Sequence, residues 1–245
     1  MVSEMHRLCR ELEQQAIGMG AAYFGVADLT PAREFILSGG SDYLGQFPFA
    51  LTAAVPMIDG WVDQLPRQDD PLVMQSYAET LDAIDRRWLD IAYSLTVTLQ
   101  NAGYKALPIA EHVSDKATRR GVISHKLTAH LAGMGWIGKN ALLITPERGP
   151  RVRLMTVLTT APLPVAKPKV DLAYDGCGDC RVCVDACPVQ ALTGVPFAVE
   201  IPRDARLDFR KCLDYRIGQE TRIGARTCGL CLCACPVGDS AKRIA

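Results

Sequence analysis

This sequence has little that points toward a membrane, a polyanion or the cell exterior. No stretch approaches the roughly 18 consecutive apolar residues that a membrane span needs. The opening residues MVSEMHRLCRELEQQ lack the apolar core of a secretory leader, and their apolar positions are spaced as on an amphipathic helix. The default location is therefore the cytoplasm, with no membrane partner. Lys and Arg number 27 and Asp and Glu 27, so the formal net charge is zero. No long-range field steers such a chain toward nucleic acid or anionic lipid. Histidine is scarce, with 4 residues and no H-E-x-x-H; His125 and His130 are five apart and point to different faces of a helix. Cysteine is nearly absent from the first 176 residues, where only Cys9 occurs. A secreted disulfide scaffold would be short and carry its cysteines throughout.

What is present is an ordinary globular composition, 49% hydrophobic and 22% charged in 245 residues, which excludes a disordered chain. Residues 4–18 read as a helix, 21–29 as a strand, PAREFIL as a short helix and 49–57 as a buried strand. A loop is expected over 59–71. Leu81, Ile84, Trp88, Ile91, Leu95 and Leu99 recur at intervals of three and four, predicting a long helix over 75–101. YKALPI reads as a strand. SHKLTAHLA reads as a short helix with Ser124 as its N-cap, and ALLIT and VRLMTVLTT read as strands. The proline-rich APLPVAKPKV suits a stiff linker. The resulting expectation is an α+β domain over 1–165, a linker over 166–175 and a metal module over 176–245.

The metal reading rests on nine cysteines gathered between 177 and 235. Cys177, Cys180, Cys183 and Cys187-Pro188 form C-x2-C-x2-C-x3-C-P, the bacterial ferredoxin spacing. Three thiolates in a tight loop grip one cube, and the fourth begins the next element and serves the other cube. Cys228, Cys231 and Cys235-Pro236 repeat the motif with one cysteine missing, which Cys212 supplies. Two [4Fe–4S] clusters then close the count: Cys177, Cys180, Cys183 and Cys235 for one, and Cys187, Cys212, Cys228 and Cys231 for the other. Cys233 fits neither motif, and Cys9 falls in a helical pattern as a core residue. Structural zinc sites show paired C-x2-C motifs, whereas the triple repeat with two Cys-Pro endings is a cluster signature.

Between the two halves lies GMGWIGKN (133–140), which matches both G-x-G-x-x-G and an incomplete phosphate loop. Both motifs need a strand before and a helix after. Here a helix precedes and a strand follows, and Asn140 stands where a phosphate loop has Ser or Thr, so nucleotide binding is rejected. The loop reads as backbone lying close to a flat or anionic ligand, or else as a tight turn around a packed Trp136.

The segment HKLTAHLAGMGWIGKNALLITPERGPRVRLMTVLTTAPLP, together with the cysteine arrangement and the Lys-Cys-Leu-Asp-Tyr segment 211–215, resembles the epoxyqueuosine reductases and their shorter relatives. The similarity spans roughly 75–240, and the corrinoid reductive dehalogenases look like more distant cousins. The resemblance implies a nitroreductase-type, cobalamin-reductase-like N-terminal domain with a bacterial ferredoxin-like double-cluster module. It also implies cobalamin, with flavin as second choice, and corrinoid contacts at Trp136, Gly138 and Lys139. Two departures stand out. The tRNA-acting enzymes carry an acid in a D-x-x-P-V-x-E stretch just before the glycine loop, and here the stretch is RRGVISHK; the chain also lacks the helical-repeat extension.

The leading expectation is therefore a cytoplasmic iron–sulfur oxidoreductase that receives electrons from a low-potential donor of ferredoxin or flavodoxin type. The electrons pass through two clusters to a corrinoid or flavin, which reduces a small molecule or a tRNA nucleoside. Lys139 is a candidate to stabilise developing negative charge, and Tyr77, His125 and Asp115 are candidate proton donors. The competing expectation is a non-catalytic ferredoxin-like carrier or a reductive activator of a partner protein.

Overall fold

The computed structural model describes residues 2–39, 42–110, 121–165 and 174–239. Asp115 lies outside them, as do residues 166–173 of the expected linker. In chain order the elements are α1 (Val2–Gly18), β1 (Tyr23–Asp28), α2 (Arg33–Gly39), β2 (Phe49–Pro56), α3 (Asp59–Val62), α4 (Pro71–Asn101), β3 (Ala106–Pro108) and α5 (His125–Leu131). There follow β4 (Trp136–Ile137), β5 (Leu143–Ile144), β6 (Val152–Thr159), α6 (Val182–Asp185), α7 (Arg203–Arg206), α8 (Phe209–Ile223) and α9 (Leu230–Cys233). No described helix is long and apolar enough to cross a membrane.

The chain divides into two compact units, each assembled from three separate stretches. One draws on Met1–Val55, Arg86–Met134 and Arg153–Val170; the other draws on Pro56–Asp85, Gly135–Val152 and Asp171–Ala245. The glycine loop beyond Met134 and the cysteine-rich segment thus share a unit.

The first unit is built on a four-stranded sheet of order β1-β2-β6-β3. β1 runs antiparallel to β2, with Val26 opposite Leu51, and β3 runs antiparallel to β6, with Leu107 opposite Leu158. β2 is buried from Ala50 to Val55 without alternation, the pattern of a strand covered on both faces. α1 and α5 pack on β1. At that contact Gly25 leaves room for Ala132, because a Cβ there would lie 3.1 Å from the Ala132 Cβ. α4 begins one turn earlier than its periodicity predicts. Of its predicted stripe Ile84, Trp88, Ile91, Leu95 and Leu99 are buried and Leu81 is half-buried, and Met74 and Tyr77 extend the buried face. Ser124 caps α5 as expected, its Oγ accepting from the Leu127 N–H at 3.3 Å.

Two elements depart from expectation in the second unit. α3 forms inside the segment expected to be loop, and Trp136–Ile137 is a strand paired with Leu143–Ile144. The short α3 turn is held from outside by the buried Arg151, which ion-pairs with Asp59 at 3.1 Å and Asp63 at 2.6 Å. Local propensity does not carry such a partner. α8 starts with Asp208 accepting from the Lys211 N–H at 3.1 Å and ends at Gly224 with φ 76°, a left-handed stop that favours glycine.

Candidate metal centre

Nine of the ten cysteines occupy one unit and influence one another electrostatically. Burial pushes the Cys183 thiol up to about 11, with Cys177, Cys235 and Cys180 adding to the rise. Burial also raises Cys235; backbone N–H bonds near Val237 and Gly238 oppose this, and Cys177 and Cys180 reinforce it. In the other set burial pushes Cys231 up to about 12, and Cys228, Cys212, Cys183 and Cys187 push the same way. Cys228 is raised by burial, relieved by a backbone hydrogen bond at Leu230, and raised again by Cys212 and Cys187. Cys212 is raised by burial, with Arg216 opposing and Cys187 adding.

Cys183 and Cys235 thus lie within electrostatic reach of Cys177 and Cys180, and Cys228 and Cys231 within reach of Cys187 and Cys212, while Cys231 also feels Cys183. The groups adjoin where Cys183, Val184 and Leu192 form a buried cluster against Cys187, Leu207 and Cys231. Burial favours the protonated thiol at Cys183, Cys212, Cys228, Cys231 and Cys235. A bound cation that replaces the protons reverses that preference, because a coordinating thiol is deprotonated outright. All ten cysteines are free. Among the described residues no group of three or more His, Cys, Asp or Glu gathers closely enough to hold one metal ion.

The loops around the thiols are fixed by local bonds. Asp175 accepts from the Cys177 N–H at 2.9 Å, and the Ala191 N–H donates to the Cys187 sulfur at 3.2 Å. The Cys228 carbonyl accepts from Gln68 Nε2 at 3.3 Å. Gln219 bridges Gln68 Oε1 at 3.1 Å and the Tyr215 hydroxyl at 3.2 Å. Gln68, Gln219 and Tyr215 were not singled out by sequence reasoning; only the 211–215 segment contained a hint, through Tyr215. Cys233 stands apart, its thiol raised by burial beside Arg151 and Asp63 rather than by other cysteines. Cys9 is half-buried on α1 rather than a core residue.

The glycine loop is explained by protein packing. A Cβ on Gly135 would fall 1.9 Å from the Ile144 carbonyl oxygen, and one on Gly138 would fall 2.8 Å from Ile144 Cγ1. Both glycines let the loop close on β5. The Trp136 ring covers Gly176, where a Cβ would come within 2.5 Å of it, and meets Tyr174 edge-on at 6.0 Å. The tight turn around a packed tryptophan is therefore the arrangement observed. Lys139 is 9% exposed, and its ammonium donates to the carbonyl of Gly178 and, at 3.4 Å, to that of Cys180. Asn140 donates from Nδ2 to the Cys231 carbonyl at 3.3 Å. Of the three expected corrinoid contacts, Trp136 alone keeps a buried donor without a partner among the described residues, its indole N–H.

Two proton-donor candidates have defined places. Tyr77 is buried in the second unit, its hydroxyl beside Gly229, the residue after Cys228. His125 lies in the first unit, its Nδ1 hydrogen-bonding with Thr156 Oγ1 at 2.8 Å. Burial, then Arg153 and Lys126, push its pKa down to about 4, so the imidazole is neutral at pH 7 and offers no acidic proton. A depressed histidine pKa means that the unfolded chain binds the extra proton first. The stability this neutral imidazole contributes is present above 6.5 and is lost as pH falls toward 4. The displacement from 6.5 to about 4 corresponds to roughly 3 kcal/mol. In urea melts, parent minus His125→Gln stability should therefore shrink between pH 7 and pH 4.5; a constant difference would mean the ring is not held neutral.

No family model matches the chain. An epoxyqueuosine reductase of Gloeobacter violaceus is 36% identical over 135 residues, 50% of this chain and 38% of that protein. The one from Bacillus cereus is 35% identical over 126 residues, 47% of this chain and 30% of that protein. The alignments thus span 38% and 30% of these relatives, and over the aligned part the chain resembles the epoxyqueuosine reductases. Among solved structures, the catabolic reductive dehalogenase NpRdhA in complex with 3-bromo-4-hydroxybenzoic acid superposes with a TM-score of 0.67 at 19% identity, over 98% of this chain and 33% of that one. An epoxyqueuosine reductase with an epoxyqueuosine-modified tRNA-Tyr stem loop gives 0.57 at 21% identity, over 96% of this chain and 66% of that one. The mixed helix-and-sheet fold is shared with both.

Proposed function

We propose that this chain is an iron–sulfur oxidoreductase of epoxyqueuosine reductase type that passes electrons through two [4Fe–4S] clusters to a reductive reaction. What supports the reading is the paired C-x2-C…C-P spacing, together with the electrostatic influence of Cys177 and Cys180 on Cys183 and Cys235 and of Cys187 and Cys212 on Cys228 and Cys231. A zinc ion asks for four sulfurs about 2.3 Å from one point, whereas each cube spreads its four thiolates over its corners. In this reading residues 176–245 form a bacterial ferredoxin-like module, with Cys177, Cys180, Cys183 and Cys235 on one cluster and Cys187, Cys212, Cys228 and Cys231 on the other. When bound, the clusters supply a one-electron relay, and a corrinoid, or a flavin as second choice, supplies the reducing centre.

The chain's own residues do the rest. The buried Gln68–Gln219 pair and α8 keep the Cys228 loop in place, and the backbone N–H groups after Cys235 stabilise its thiolate. The Trp136 indole N–H is the donor left over for a polar rim group of the cofactor. A low-potential carrier of ferredoxin or flavodoxin type is the proposed electron source, and the reducing cytoplasm is the proposed compartment, where free thiols persist. The substrate class is a small molecule or a tRNA nucleoside; RRGVISHK provides no acid at the place where the tRNA-acting enzymes have one.

Anaerobic reconstitution with iron and sulfide should give a brown protein with about eight iron atoms per chain. Gel filtration after adding cobalamin should leave corrinoid bands with the protein. Zinc in place of iron, or a colourless product, rejects the cluster reading. Iron without retained corrinoid or flavin favours the electron carrier.

A further inference from the structure

The two residues that end the glycine loop reach opposite groups of thiols. Lys139 bonds to the carbonyls of Gly178 and Cys180, within the loop of the Cys177–Cys180–Cys183–Cys235 group. Its neighbour Asn140 bonds to the carbonyl of Cys231, in the other group. Both side chains are buried, at 9% and 5% exposure. Their hold is enforced by the backbone, because Asn140 Oδ1 accepts from the Leu142 N–H at 3.1 Å and Gly138 is pinned under Ile144. One dipeptide therefore sets a full positive charge against one group and only an amide dipole against the other.

Resting on the cluster assignment above, we propose that Lys139 is a potential-setting residue, raising the reduction potential of the cluster on Cys177, Cys180, Cys183 and Cys235 while Asn140 leaves the other nearly unaffected. The redox step is a single electron taken from an external low-potential one-electron carrier. No bond forms or breaks, no proton moves, and the ligated centre becomes one charge unit more negative. A desolvated ammonium nearby favours that more negative state, since Coulomb energy grows as the effective dielectric falls. Burial removes the solvent screening that would cancel it. The cation near the second group, Arg216, acts on Cys212 and Cys228, but it is only partly buried and its guanidinium is shared with the Arg226 carbonyl at 3.2 Å. Water screens it more.

The test is a redox titration of the full chain after anaerobic reconstitution, followed by electron paramagnetic resonance so that the two clusters are read separately. Lys139→Gln should retain the parent iron content and lower the potential of one cluster, with the other unmoved. The expected shift is at least tenfold in the reduced-to-oxidised ratio, about 59 mV for a one-electron couple. Lys139→Arg keeps the charge and should restore the parent potential. Unmoved potentials, equal movement of both, loss of iron from Lys139→Gln, or failure of Lys139→Arg to restore the parent value each overturns the proposal. A parent chain that binds no clusters instead sinks the cluster assignment itself, so the two failures are distinct.

Discussion

Cys212→Ala should hold about half the iron of the parent after anaerobic reconstitution, roughly four atoms in place of eight. Cys212 is the one proposed ligand outside the two runs that end in Cys-Pro, carried by α8, so its assignment is the least protected by motif. It lies within influence of Cys187 and Cys228, and no other cysteine is positioned to replace it: Cys233 interacts with Arg151 and Asp63, and Cys9 is on α1 of the other unit. Removing one of the four thiolates that would hold the cluster would lower the affinity of the group as a whole. Cys233→Ala should keep the full iron content. Parent-like iron and an unchanged spectrum in Cys212→Ala would reject the assignment, as would iron loss in Cys233→Ala at equal stability.

Gly135→Ala should destabilise the chain by more than about 3 kcal/mol, because added bulk meets backbone rather than a side chain that can turn aside. The new methyl would fall 1.9 Å from the Ile144 oxygen and 2.8 Å from its carbonyl carbon. β4 and β5 must separate to admit it, breaking the Trp136–Ile144 and Ile137–Leu143 pairs. The same opening shifts the whole backbone of residues 135–145 against the cysteine loops, packing that a side-chain change at Lys139 leaves in place, so iron retention should fall along with the unfolding midpoint. Gly18→Ala is the control: nothing lies within 4 Å of its would-be Cβ at the end of α1, and its effect should be within about 1 kcal/mol. A Gly135→Ala melting curve matching the parent would mean that the hairpin does not close as described.

How far the sequence could be read depended on the reach of each constraint. α4 was legible because its buried stripe is a periodicity internal to one segment, and Ser124 because a cap acts over three residues. The proposed grouping of eight cysteines rests on the same kind of short-range constraint, since a cube forces short spacings within a loop and a switch of partner at the Cys-Pro end. α3 was not legible, because the arginine that holds Asp59 and Asp63 comes from position 151. The strand in the glycine loop was hidden by glycines that suggested a ligand; Gly135 accommodates the backbone of β5 and Gly138 the Ile144 side chain. Lys139 carried too little information as a residue type to reveal that its ammonium faces two carbonyls. Gln68 and Gln219, 151 positions apart, had no signal at all, since amides that pair across a fold look like surface residues in a linear chain.

The threefold interleaving of the two units bears on engineering. Cutting out residues 176–245 as a stand-alone cassette would discard Gln68, Tyr77, Asn140 and Lys139, every one of which touches a cysteine loop from another stretch of the chain. Grafting the iron-binding portion onto a foreign host would demand three coordinated splices, and a circularly permuted gene would tolerate new termini only where neither unit's pieces are severed from their companions.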